Sequence, residues 1–310
     1  MLNVALYATT VLTWGLTWYA VNLQLGVVPP EWSLVYRFGV AGLILLAWAG
    51  ARMQLAGRRI PRLGLRQHLA LALLALFIFC ANYLMFYWAT FYLASGLVAV
   101  VFSMATLFNI VNGALFLGQP VTLRAVVAAL LGVGGLALVF LPELATVGSG
   151  SLIGLGLSVL ATYSFSLGNV ISARSQTAGV PVTIANGFAM TYGAALTIAY
   201  AAAVGSSPAL EANLRYLGSL AFLIFVGSII GFYCYLTLLG RIGAARTAYT
   251  TVLIPLIALA VSSLFEGYVW TWPAAAGVAL VLAGNVLALR SRQGPAPGRA
   301  PADAAKAPAR

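Results

Sequence analysis

The sequence predicts an all-α membrane protein: ten transmembrane helices arranged as an inverted five-plus-five repeat, with both termini cytoplasmic. Three observations predict it: an extreme composition, an ordered placement of charge, and a match of the chain to itself. Residues of the AVILMFWYC set make up 62% of the 310 residues, charged residues only 7%, and mean hydropathy is +1.00. A soluble domain carries about 25% charged residues. This chain lacks the polar groups to cover its own surface, so lipid must be its solvent. That excludes a cytosolic enzyme, a secreted disulfide module and a disordered chain. A helical span takes about 20 residues, so the length accommodates about ten.

The apolar runs place spans near 3–23, 31–50, 67–91, 95–116, 123–141, 151–173, 181–204, 215–239, 245–265 and 270–289. Span 1 starts at the N-terminus. Met1-Leu2-Asn3-Val4 has no basic residue, unlike a secretory leader, so the span is expected to be retained. Breakers punctuate the later connections: Pro29-Pro30, Gln119-Pro120, Pro142, Gly179-Val180-Pro181 and Pro208. Spans 2 and 3 are joined by a basic loop. Residues 291–310 are rich in Pro, Ala and Gly and read as a disordered cytoplasmic tail. The two cysteines, Cys80 and Cys234, sit mid-span and read as buried free thiols.

Charge tests these boundaries. With the N-terminus inside, the inner segments hold Arg52, Arg58, Arg59, Arg62, Arg66, Arg124, Arg174, Arg241, Arg246, Arg290, Arg292, Arg299, Lys306 and Arg310. Only Arg215 falls outside and only Arg37 within a span. Glu31, Glu143, Glu211 and Glu266 fall outside, and Asp303 inside. This is a strong positive-inside pattern. The net charge of +11 is therefore a topology label and not a nucleic-acid footprint.

The chain matches itself at an offset of 149. Leu115-Phe116-Leu117-Gly118 falls on Leu264-Phe265-Glu266-Gly267, Ala99 on Ala248, Leu107 on Leu256, Gly135 on Gly284 and Thr13 on Thr162. Span 2 needs an offset of 151, which puts Pro30 on Pro181 and Gly42 on Gly193. The reading is a first repeat over 1–142 and a second over 143–290. Five is odd, so the second repeat enters the membrane from the opposite side. Inverted repeats typify secondary transporters, with the solute site at the repeat interface near the midplane.

Trp14-Gly15, Tyr36-Arg37-Phe38, Pro255-Leu256 and the two similar repeat ends carry a family resemblance. The chain resembles the drug/metabolite transporter superfamily in its EamA-type ten-helix form, and most of all its amino-acid exporter branch (YddG-like). Gln119 stands where such proteins often have Glu, and Thr106 where the first repeat often has Pro. The resemblance implies that spans 1, 3, 4, 6, 8 and 9 surround the pathway.

Mid-span polar and aromatic residues give the same six helices. Polar groups at membrane depth must face protein or water. The candidate solute-binding residues are Trp14, Thr17 and Trp18 in span 1, and Phe79, Asn82, Tyr83 and Phe86 in span 3. Thr106 follows in span 4, Tyr163, Ser166 and Asn169 in span 6, Phe232 and Tyr235 in span 8, and Tyr249 in span 9. The 149 offset pairs Trp14 with Tyr163, Thr17 with Ser166, Tyr83 with Phe232 and Phe86 with Tyr235. An aromatic cavity with a few amide and hydroxyl handles suits a small amphipathic solute. Rings stack on rings or face an ammonium group. Spans 2, 5, 7 and 10 read as packing helices, with Ala128, Gly132, Gly135, Gly277 and Gly284 allowing close approach. Trp270 and Trp272 read as interface-belt residues.

Arg37 lies six residues past Glu31, about 9 Å into the membrane. It reads either as an anion anchor for a solute carboxylate or, the preferred reading, as a snorkelling arginine tied to the outer interface or to backbone carbonyls. Pro255 removes a backbone donor within span 9 and is a candidate hinge. No span has a central Asp or Glu, and the single histidine, His68, lies at a span edge. Proton coupling usually needs an embedded carboxylate, so facilitated diffusion by alternating access is the simplest mechanism. The expected function is export of amino acids with aromatic or apolar side chains across a bacterial inner membrane. Neither cofactor, metal, nucleic acid nor obligate protein partner is implied, and a monomer is expected. Efflux of drugs or other metabolites is the alternative. A lipid-modifying enzyme would need a nucleophile with a base, or a metal site. A channel would need a filter signature.

Overall fold

The computed structural model describes residues 1–57, 63–118, 120–147, 149–177, 180–242 and 250–291. Among these the chain forms ten helical rods and is all-α. They are α1 (Leu2–Asn22), α2 (Pro30–Leu55), α3 (Leu65–Ala89) and α4, built of Ser95–Ser103 and Ala105–Leu117. Next come α5 (Leu123–Val147), α6 (Ser149–Thr177) and α7 (Val182–Ala203). α8 consists of Leu214–Ala221, Phe222–Ile230 and Gly231–Ile242 in continuous succession, followed by α9 (Thr250–Phe265) and α10 (Trp272–Ser291). Eight of the ten are long and apolar enough to cross a membrane. The other two are α7 and α9. Tyr249 and the expected tail from residue 292 onward lie outside the described residues.

Local chemistry sets several ends. Pro29 and Pro30 open α2, where a missing N–H costs nothing. Gly118 closes α4 in a left-handed conformation, φ 64°. The Asn213 side chain accepts the Tyr216 N–H at 2.7 Å and caps α8. Pro142 does not end α5 as its breaker character suggested; the helix continues to Val147. A proline removes one hydrogen bond, which a helix in lipid tolerates when the rest of its ladder is intact. α4 is interrupted at Met104 without any proline. There the amide of Met104 bonds to Val101 O, and that of Leu107 to Met104 O, both three residues back. This is a tightened turn.

The packing follows the repeat. α2 lies against α7 and α5 against α10, each pair joining equivalent helices of the two halves. α1 packs on α8 and α9, while α6 packs on α3 and α4, the exchanged counterpart. One apolar core gathers Leu34, Phe38, Leu71, Phe79, Met190 and Leu223 from α2, α3, α7 and α8. A second gathers Leu97, Leu107, Ala128, Val139, Leu259 and Val281 from α4, α5, α9 and α10. α1 and α6 run between these groups. The small residues of α5 and α10 act as expected. A Cβ on Gly135 would lie 2.6 Å from the Gly277 carbonyl oxygen, and one on Gly277 would lie 2.5 Å from that of Gly135. The backbones touch, which dispersion favours in lipid.

α3 and α8 each carry a π-helical stretch mid-helix, Ala75–Asn82 and Phe222–Ile230. They occupy matching places in the two repeats. Such wide turns are rare and frequent at functional sites.

Candidate functional site

Between the two core groups lies a cavity walled by α1, α2, α3, α4, α6, α8 and α9. α1 contributes Trp14, Thr17, Trp18 and Val21, and α3 contributes Asn82, Tyr83, Phe86, Tyr87 and Thr90. Arg37, Phe102, Phe165, Phe232 and Ile254 complete the wall from α2, α4, α6, α8 and α9. It has about 60 Å³ of room for water-sized molecules, enough for roughly four waters. A solute as large as an amino acid needs the walls to part.

The rings form a connected lining. Trp14 meets Phe232 edge-on at 5.2 Å and Tyr235 at 4.9 Å. Trp18 meets Phe86 at 5.0 Å and Phe102 at 5.4 Å, and Phe102 meets Phe165 at 5.0 Å. Edge-to-face pairs of this kind are worth about 0.5–1.5 kcal/mol beyond burial. They tie α1, α3, α4 and α6 into one wall.

Polar contacts orient the lining. The Trp14 indole Nε1 donates to the Gly227 carbonyl at 3.1 Å, inside the second π stretch. Gly231 makes room for that indole: a Cβ there would fall 2.5 Å from Nε1. The Thr17 hydroxyl donates to Trp14 O at 2.7 Å. Asn82, at the end of the first π stretch, donates to Ala161 O of α6 at 2.7 Å and joins the two halves. Tyr87 donates to Gln24 Oε1 at 2.6 Å.

Arg37 departs from the preferred reading. It does not reach the outer interface; it is 2% exposed. Its Nε donates to Ser228 Oγ at 3.2 Å, in the second π stretch. Its guanidinium carbon lies 4.8 Å from the Tyr83 ring centre and 4.9 Å from that of Phe38. α2 thus supplies more than packing, because its charge turns inward where rings and a hydroxyl receive it.

The remaining expected residues divide. Phe79 and Tyr235 stand one layer behind the wall, Phe79 against Phe38 at 5.1 Å and Tyr235 against Trp14. Tyr163 is taken up by Phe108 of α4 at 5.5 Å and lies apart from the cavity lining. Ser166 donates to Asn109 Oδ1 at 2.8 Å and accepts from Asn112 Nδ2 at 2.9 Å. Asn169 donates to the same Asn109 oxygen at 3.2 Å. These two residues zip α6 to α4 instead of facing the cavity. Thr106 is buried in α4 away from the lining. Sequence reasoning did not single out Val21, Tyr87, Thr90, Phe165 and Ile254. Tyr87 and Thr90 lie four and eight residues beyond Tyr83 and Asn82 on the same helical face, a signal that was available. Among the described residues no three His, Cys, Asp or Glu come together as a metal site.

Ten helices in two exchanged halves around an aromatic cavity are the architecture of a secondary transporter. The chain belongs to the EamA-like transporter family, which it matches over residues 1–141 and again over 152–290. An uncharacterized transporter of Archaeoglobus fulgidus is 24% identical over 285 residues, 92% of this chain and 98% of that one. A probable amino-acid metabolite efflux pump of Escherichia coli K12 is 25% identical over 296 residues, 91% of this chain and 94% of that one. A crystal structure superposes with a TM-score of 0.66 at 19% identity, covering 94% of this chain and 98% of that one, and shares the fold.

Proposed function

We propose that this membrane transporter carries small amphipathic metabolites, foremost amino acids with aromatic or apolar side chains, out across a bacterial inner membrane. The carrying observation is the ring-lined cavity shared by both halves, with Trp14, Trp18, Phe86, Phe102, Phe165 and Phe232 in its wall. Such a wall takes up a flat or branched apolar group. The amide and hydroxyls of Asn82, Thr17 and Thr90 serve the polar end of a solute. Similarity to a probable amino-acid metabolite efflux pump favours the same class. Solute exchange then proceeds by rocking of repeat 1–142 against repeat 143–290, with Pro255 in α9 as a hinge. The chain works as a facilitator, since no Asp or Glu occurs in the middle of any span.

The test is counterflow in liposomes. Protein preloaded with unlabelled L-phenylalanine should accumulate the labelled form transiently at equal pH on both sides. Flux that appears only with an imposed pH gradient would reject the facilitator. No flux of any amino acid from folded protein, with saturable flux of a cationic drug, would transfer the reading to drug efflux.

A further inference from the structure

Among the described residues Arg37 is the one formal charge in the cavity wall. Its side chain brings five N–H donors. Nε is used on Ser228, the Tyr87 hydroxyl also faces the guanidinium, and Nη1 is buried with no hydrogen-bond partner among the described residues. The Ser228 hydroxyl is itself directed, because it donates to Leu223 O at 2.9 Å and so turns a lone pair to the arginine. The rings of Phe38 and Tyr83 lie within cation–π range. These neighbours offset part of the cost of a desolvated cation and supply no negative charge. Among the described residues none that lines the cavity is an Asp or Glu. A buried cation without a counter-ion is expensive at membrane depth, and a guanidinium fork matches a carboxylate with two parallel hydrogen bonds.

We infer that Arg37 binds the carboxylate of the solute, which makes the carboxylate the obligatory group. The cavity then takes amphipathic carboxylic acids, with or without an α-ammonium, and rejects amphiphiles whose only charge is positive. The rings hold the apolar end, and a lone ammonium would meet a like charge where the dielectric is low. This rests on the carrier reading above and narrows what that carrier selects.

The test uses the full chain in detergent and four probes of one skeleton: L-phenylalanine, 3-phenylpropionate, L-phenylalaninamide and phenethylamine. Native-state binding raises the unfolding midpoint. The two carboxylates should raise it and the two amines should not, with affinities at least about tenfold apart, the scale of a lost hydrogen bond to a charged group. Arg37→Gln should lose the response to both carboxylates. The probe series on the unaltered protein decides the matter should that variant not fold. Equal shifts with L-phenylalanine and its amide would overturn the carboxylate requirement and leave the amino-acid cavity standing. A shift with 3-phenylpropionate alone would uphold Arg37 and remove amino acids as the solute. No shift with any of the four would overturn both.

Discussion

Trp14 and Tyr163 match at the 149 offset, yet only Trp14 reaches the cavity. The difference is one of helix rotation. Phe165, two residues along α6, holds the wall, and Tyr163 points to Phe108. Trp14→Ala should therefore abolish the ligand-induced rise in unfolding midpoint, while Tyr163→Ala should leave it within about twofold in affinity. Equal losses in both would restore Tyr163 to the site. Residue identity marks depth in the membrane well, because aromatic and amide side chains stand out in an apolar span. It marks rotation poorly, and most of all near a π turn. Phe79, three residues before Asn82, shares its face in an ideal α-helix. The wide turns of Ala75–Asn82 carry it off that face into the core between Phe38 and Phe232. Nothing in the sequence announces those turns. Arg37 was misplaced for a related reason: its depth was legible, but the ring pair and hydroxyl that receive it come from α3, α8 and its own neighbour.

At the scale of elements, hydrophobic runs, prolines and charge sorting defined ten rods, with ends within about six residues of those observed. The sequence also separated packing helices from cavity helices, with α2 the exception. Packing of α5 on α10 rests on backbone contact at Gly135 and Gly277. Gly135→Ala should force the pair apart and cost about 1–3 kcal/mol, read as a lower unfolding midpoint; an unchanged midpoint would deny the close approach. Glu266 of the α9–α10 connection serves α4. Its Oε2 accepts the Ser95 N–H at 2.8 Å and the Ser262 hydroxyl at 2.7 Å, and Ser262 Oγ accepts the Gly96 N–H at 2.8 Å. An anion at a helix N-terminus satisfies orphan donors and opposes the dipole. Glu266→Ala should destabilise by about 0.5–2 kcal/mol. No loss of midpoint would show the cap to be idle.

For the whole molecule, the same contact locates a joint that alternating access must open. The outer ends of α4 and α9 belong to different repeats, and on the charge assignment they face away from the cytoplasm. Ser95 Oγ and Ser262 Oγ stand 3.2 Å apart there. If the repeats rock about the central cavity, this joint parts once in every cycle, because it bonds one repeat to the other. Cysteines at both positions, Ser95→Cys with Ser262→Cys, bring two thiols to the same spot. Cys80 and Cys234 are buried free thiols and should first be replaced by alanine to keep the chemistry single-sited. Oxidation should then stop counterflow, and reduction should restore it. The single-cysteine variants should transport under both conditions. Full counterflow in a verified, fully oxidised double variant would mean that α4 and α9 never separate at their outer ends, and rocking of the two halves would fall with it.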